Sequence, residues 1–126
     1  MKKLIPLLIL IIAATLFLGC EMDEEDTYSV QERMEAFIDD VNDEAWGDLK
    51  DHTYSEATQH DEANAVFWEN RLDTYIPLKD LAFTAEQVAT CTDNAGTFTF
   101  TFYLTADSDD NNTIQRIERD ATTIFY

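Results

Sequence analysis

Thr97-Phe98-Thr99-Phe100-Thr101-Phe102-Tyr103-Leu104-Thr105 alternates without a break. Phe98, Phe100, Phe102 and Leu104 fall on one parity, and Thr97, Thr99, Thr101, Tyr103 and Thr105 on the other. A period of two places successive side chains on opposite faces of a sheet. Aromatic and β-branched residues also pack well on a pleated, half-buried surface. The stretch therefore predicts a strand with one apolar face against a core. Its threonine and tyrosine face is either the outer surface or the lining of a polar cavity.

The segments on either side read the same way. Upstream, Asp93-Asn94-Ala95-Gly96 is a turn, in which Asn94 and Gly96 tolerate positive φ. Before it come two shorter strands, Leu81–Thr84 and Gln87–Thr92. Downstream, Asp107–Asn112 is a polar turn. Thr113–Tyr126 reads as one long closing strand or two short ones, with Ile114, Ile117, Ile124 and Phe125 as the apolar positions.

The first half of the domain follows a different period. Ser29-Val30-Gln31-Glu32 is a capping box, and behind it Val30, Met34, Phe37, Ile38 and Val41 recur at helical spacing. A helix is expected over Val30–Val41, with Asp39, Asp40 and Asp43 off its apolar stripe. Asn42-Asp43 should break it and cap a second helix, Glu44–His52, on which Trp46 and Leu49 face the same way. A third is expected from about His60 to Leu72, with Ala63, Val66 and Phe67 inward, ended by Pro77. Helices first and an antiparallel meander after predict an α+β domain, with the N-terminal helices packed on one face of the sheet.

Ahead of this domain, Lys2 and Lys3 precede an apolar run, Leu4–Leu18, broken in polarity only by Thr15. A membrane-spanning helix needs about 20 apolar residues, whereas a secretory leader needs about 7–15 behind a basic start. The run fits the leader. Leu16-Phe17-Leu18-Gly19-Cys20 then resembles the lipobox of bacterial lipoproteins, in which a small residue precedes an invariant cysteine. The resemblance implies a signal peptide over 1–19, cleavage before Cys20, and acylation of Cys20 as the attachment to the membrane. Two or three acyl chains anchor stably, where one is marginal. Residues 20–28 would form a lipidated acidic tether, whose run Glu21–Asp26 is too polar to bury anything, and 29–126 a single α+β domain. The localisation implied is the cell envelope, on the extracytoplasmic side.

The chain carries 8 Lys+Arg against 26 Asp+Glu, a formal net charge of −18. Such a surface repels phosphate backbones, which excludes nucleic acid as a partner. It also repels anionic lipid, so the acyl group and not the protein surface must hold the chain at a membrane. The charge fits a solvated, self-repelling surface, an adaptation to salt, or a face for cations or basic partners. With Cys20 taken by lipid, Cys91 is left without a disulfide partner, in a strand where a buried, inert thiol is expected.

Phe37-Ile38-Asp39-Asp40-Val41-Asn42-Asp43-Glu44-Ala45-Trp46-Gly47-Asp48-Leu49-Lys50, followed by the C-terminal strands, resembles the nuclear-transport-factor-two-like superfamily, which includes SnoaL-like cyclases and ketosteroid isomerases. The resemblance implies a cystatin-like cone of curved sheet wrapped on helices, with a pocket at its wide end. Enzymes of the superfamily use an Asp or His base inside the cone. No residue of this chain matches such a base position by position, so no catalytic residue is carried over.

The pocket candidates are Trp46, Tyr54, His60, Trp68 and Tyr103, with the tryptophans equally at home in a core. His52 and His60 neighbour Asp51 and Asp61, but adjacent residues do not face each other, and both histidines are read as surface residues. Their spacing makes a poor zinc site, so no metal and no cofactor is expected. Asp107-Ser108-Asp109-Asp110-Asn111-Asn112-Thr113-Ile114-Gln115-Arg116-Ile117-Glu118 resembles an EF-hand calcium loop. Its flanks are strands, however, and Asn112 stands where the loop has Gly, so an acidic hairpin turn is expected. The functional expectation is an anchored envelope lipoprotein whose domain binds a small ligand or another envelope protein. The alternatives are a small pocket isomerase, lyase or hydrolase of the SnoaL-like type, and a calcium-stabilised structural module.

Overall fold

A computed structural model describes residues 27–126, and the leader, Cys20 and most of the expected tether lie outside the described residues. The domain is α+β, with helices packed on a curved, unclosed antiparallel sheet. Helix α1 (Val30–Asn42) begins at the expected capping box: Ser29 Oγ accepts from the Glu32 amide, and Glu32 accepts from the Ser29 amide. A 3-10 helix (Trp46–His52), a 3-10 turn (His60–Glu62) and helix α2 (Ala65–Leu72) follow. The sheet is a meander of β1 (Lys79–Ala85), β2 (Val88–Thr92), β3 (Thr99–Ala106), β4 (Asn112–Arg119) and β5 (Thr122–Phe125), in that spatial order.

Two parts of the helical half differ from expectation. The third helix is split, because Asn64 accepts from the Phe67 amide and starts α2 afresh. That shift in phase buries Trp68 fully and leaves Val66 62% exposed, so Val66 does not face inward. Asn42-Asp43 does not cap the segment after it either. Asn42 instead exchanges two hydrogen bonds with the Leu78 backbone. Asp43 is the C-cap of α1, and Glu44 follows in the left-handed region, with φ +59°. The Ala45 amide reaches the Asp40 carbonyl and the Glu44 amide that of Val41, which is a Schellman termination.

The closing segment resolves into two strands. Ile114 and Ile117 are both buried although they differ in parity. A bulge makes this possible: Leu104 pairs with Ile114 and Tyr103 with Arg116, which leaves Gln115 unpaired. Beyond the reach of β5, Thr53 bridges to Ile114 in parallel, and the Tyr54 amide donates to the Ile114 carbonyl.

The core lies between the helices and the inner sheet face. Phe37 of α1 meets Trp68 at 5.9 Å and Phe102 at 5.6 Å between ring centroids. Trp68 meets Phe125 at 5.3 Å. All four rings are buried to within 1% of complete exclusion from solvent. Edge-on packing of such rings adds about 0.5–1.5 kcal/mol per pair beyond their area.

Candidate functional site

The polar group that the fold encloses sits where α1, the end of the 3-10 helix and the β3–β4 turn meet. Arg33 and Asp40 lie two turns apart on α1, and His52 is the last residue of the 3-10 helix. His52 Nε2 is 2.7 Å from Asp40 Oδ2, and its Nδ1 is 2.9 Å from Arg33 Nη1. A guanidinium only donates. Nδ1 must therefore accept, and Nε2 carries the proton toward Asp40. His52 is not the surface residue expected from the sequence: only 7% of it is exposed, and Phe37 packs edge-on against its ring.

Arg33 is the hub. Its Nε donates to the Asn112 carbonyl at 2.7 Å and its Nη2 to Asn111 Oδ1 at 3.0 Å. Its guanidinium lies 4.0 Å above the Tyr28 ring. Burial lowers its pKa from the usual arginine value, against the opposing pull of Tyr28, Asp107 and Asp51. No described carboxylate lies within ion-pairing distance of it. Tyr28, the last residue of the expected tether, is thereby drawn into the domain. Its amide donates to Asn111 Oδ1 at 2.8 Å, and its carbonyl accepts from the Asn112 amide and side chain, each at 3.1 Å.

The five pocket candidates do not converge on one cavity. Trp68 is core, with its indole N–H donating to the Ala63 carbonyl, and Trp46 is buried in the core as well. Tyr54 lies on the connector between the 3-10 segments and His60 opens the second of them. There His60 Nδ1 is 2.8 Å from Thr53 Oγ1, whose own proton goes to the Lys50 carbonyl. Tyr103 is on the opposite, outer face of the sheet, pairing with Arg116 and bonding Glu118. On that outer side Arg116, Thr123 and Tyr126 line an open depression of about 360 Å³.

The Asp107 turn folds on itself. Asp107 Oδ1 accepts from the amides of Asp109 and Asn111, at 2.8 and 3.0 Å. Asn111 Oδ1 is engaged by Tyr28 and Arg33. Glu118 pairs with Thr101, five residues along the strand from Ala106, which at about 3.3 Å per residue is roughly 17 Å away. Among the described residues no cluster of three His, Cys, Asp or Glu side chains is placed to hold a metal.

Sequence reasoning missed Arg33 and the partnership of Asp40 with His52. One signal for them was present: Arg33 occupies an apolar-stripe position, between Val30 and Phe37, where a charge calls for buried partners. Comparison with protein-family models, curated proteins and solved structures returns no match.

Proposed function

We propose that this chain is a membrane-anchored envelope lipoprotein of nuclear-transport-factor-two-like build, whose domain is a binding module that meets another envelope protein through its surface. The observation that carries this reading is the filled interior. Phe37, Trp68, Phe102 and Phe125 occupy the space between helices and sheet where a pocket enzyme of this build would hold substrate. An enzyme site calls for a deep apolar cavity with a base aimed into it. The histidine that has a carboxylate partner, His52, is walled in, with both ring nitrogens engaged. The calcium alternative loses Asn111 as a ligand to Tyr28 and Arg33, and Glu118 to the outer sheet face.

Apolar side chains on the outside give the partner something to bury. Phe83 on the edge strand β1 is 43% exposed and Tyr126 52% exposed, as well as Val66 on α2. A small ligand is the second reading, and the open depression at Arg116, Thr123 and Tyr126 favours it. The test is photo-cross-linking in the intact envelope from Val66, Phe83 and Tyr126, alongside Cys20→Ala. The proposal expects a discrete protein adduct from at least one position, and its loss when Cys20→Ala releases the chain from the membrane. No adduct from any of the three, or unchanged membrane association of Cys20→Ala, contradicts it.

A further inference from the structure

The strap at Tyr28 fixes where the chain enters the domain. Strand β3 runs from Thr99, beside the Asp93–Gly96 and Asp120 turns, to Ala106, beside the Asp107–Asn111 turn. Tyr28 is held at the second of these ends by its amide, its carbonyl and the face of its ring. Gln87, in the β1–β2 turn, joins the same end through Asn112 Oδ1. The chain therefore enters the domain at the Asp107 end, about one strand length, or roughly 25 Å, from the Asp93–Gly96 turn.

We infer that the domain stands on the membrane with its Asp107–Asn111 end lowermost and its Asp93–Gly96 end outermost. The inference rests on the proposed acylation of Cys20. Only seven residues, or eight Cα steps, lie between Cys20 and Tyr28 in the sequence. At about 3.6 Å a step, that chain spans at most roughly 29 Å, so inverting the domain, which would lift Tyr28 roughly 25 Å from the headgroups, would need it almost fully extended. Charge acts in the same direction. A chain of net charge −18 is repelled by anionic lipid. Held at one end, it lowers its energy by directing the rest of its acidic surface beyond the screening length of about 8–10 Å. The outermost end then presents Tyr75, Phe98 and Arg119, whose guanidinium lies 5.4 and 5.5 Å from the two ring centroids.

The test uses the full acylated chain in vesicles of phosphatidylcholine with phosphatidylglycerol. A donor dye is placed by Ser108→Cys or Ala95→Cys, both exposed turn positions, and an acceptor in the headgroup layer. Native Cys91 is buried and does not compete for label. The expected result is stronger energy transfer from position 108 than from 95, corresponding to heights that differ by ~25 Å. Equal transfer, or more from 95, with the protein floating on the vesicles overturns the orientation alone. Failure of the chain to float with the vesicles overturns the anchor and the orientation with it.

Discussion

Arg33 donates through Nη1 to Nδ1 of His52 across 2.9 Å, in the interior and with no described carboxylate bonded to the guanidinium. A buried charge without a counter-ion is costly unless it is well hydrogen-bonded. Here each of the three guanidinium nitrogens has a neutral acceptor: the Asn112 carbonyl, Asn111 Oδ1 and an imidazole whose tautomer the contact fixes. The same guanidinium closes over Tyr28, so this group joins α1, the 3-10 helix, the β3–β4 turn and the entering chain.

Arg33→Lys tests that account. An ammonium keeps the charge but cannot reach the three acceptors as a planar fork. The substitution is expected to destabilise the domain by about 2–3 kcal/mol in urea unfolding, with Tyr28 released. Stability within about 0.5 kcal/mol of the parent, the range of an ordinary surface change, would remove Arg33 from its role as hub.

Glu44 ends α1 in a left-handed conformation that glycine adopts without steric cost. Its side chain is exposed. Glu44→Gly is expected to raise stability by about 0.5–1 kcal/mol, because the αL penalty for a residue with a Cβ exceeds glycine's entropic cost here. Glu44→Ala is expected to give no such gain. Thermal melts of the two variants beside the parent provide the check.

The Asp107 turn is closed by amides that donate to Asp107 Oδ1, and its stability is expected not to depend on calcium. Asp107→Ala is expected to cost about 1 kcal/mol through loss of the Asx turn, equally in calcium and in chelator. A calcium-dependent melt of the parent that Asp107→Ala abolishes would restore the metal reading.

Burial pushes the Cys91 thiol up to about 12. The folded thiol therefore keeps its proton where the unfolded one, with an ordinary value near 8.5, loses it. Its contribution to stability is complete below about pH 8.5 and declines as pH rises toward 12. The stability difference between the parent and Cys91→Ala is expected to shrink over that window. Thiol reagents at neutral pH are expected to label Cys91 only as fast as the domain opens.

The α+β order was legible because its two periods are clean. The alternation from Thr97 to Thr105 and the capping box at Ser29 each settle locally what their segment becomes. Three features were not legible, each for a tertiary reason. The bulge at Gln115 is needed only because Ile114 and Ile117 must share a core face. The split of the third helix depends on Asn64 capping α2, which favours Trp68 over Val66 as the inward residue. The Asp40–His52–Arg33 group joins residues 12 and 19 positions apart that only the packing of α1 against the 3-10 helix brings together. The pocket candidates were chosen by residue type, and type does not distinguish a ring that lines a cavity from one that fills it.

The central claim is that the interior is closed and the surface does the binding. It is tested most directly by melting the domain, Thr27–Tyr126, with a panel of apolar and carbonyl compounds. A compound at 100 times its dissociation constant would stabilise by about 2.7 kcal/mol, which is several degrees for a domain of this size. The account predicts no shift attributable to the interior. A shift of several degrees that survives Arg116→Ala and Tyr126→Ala at the outer depression, but disappears on widening Phe102 to Trp, would contradict it and place a working pocket between the helices and the sheet.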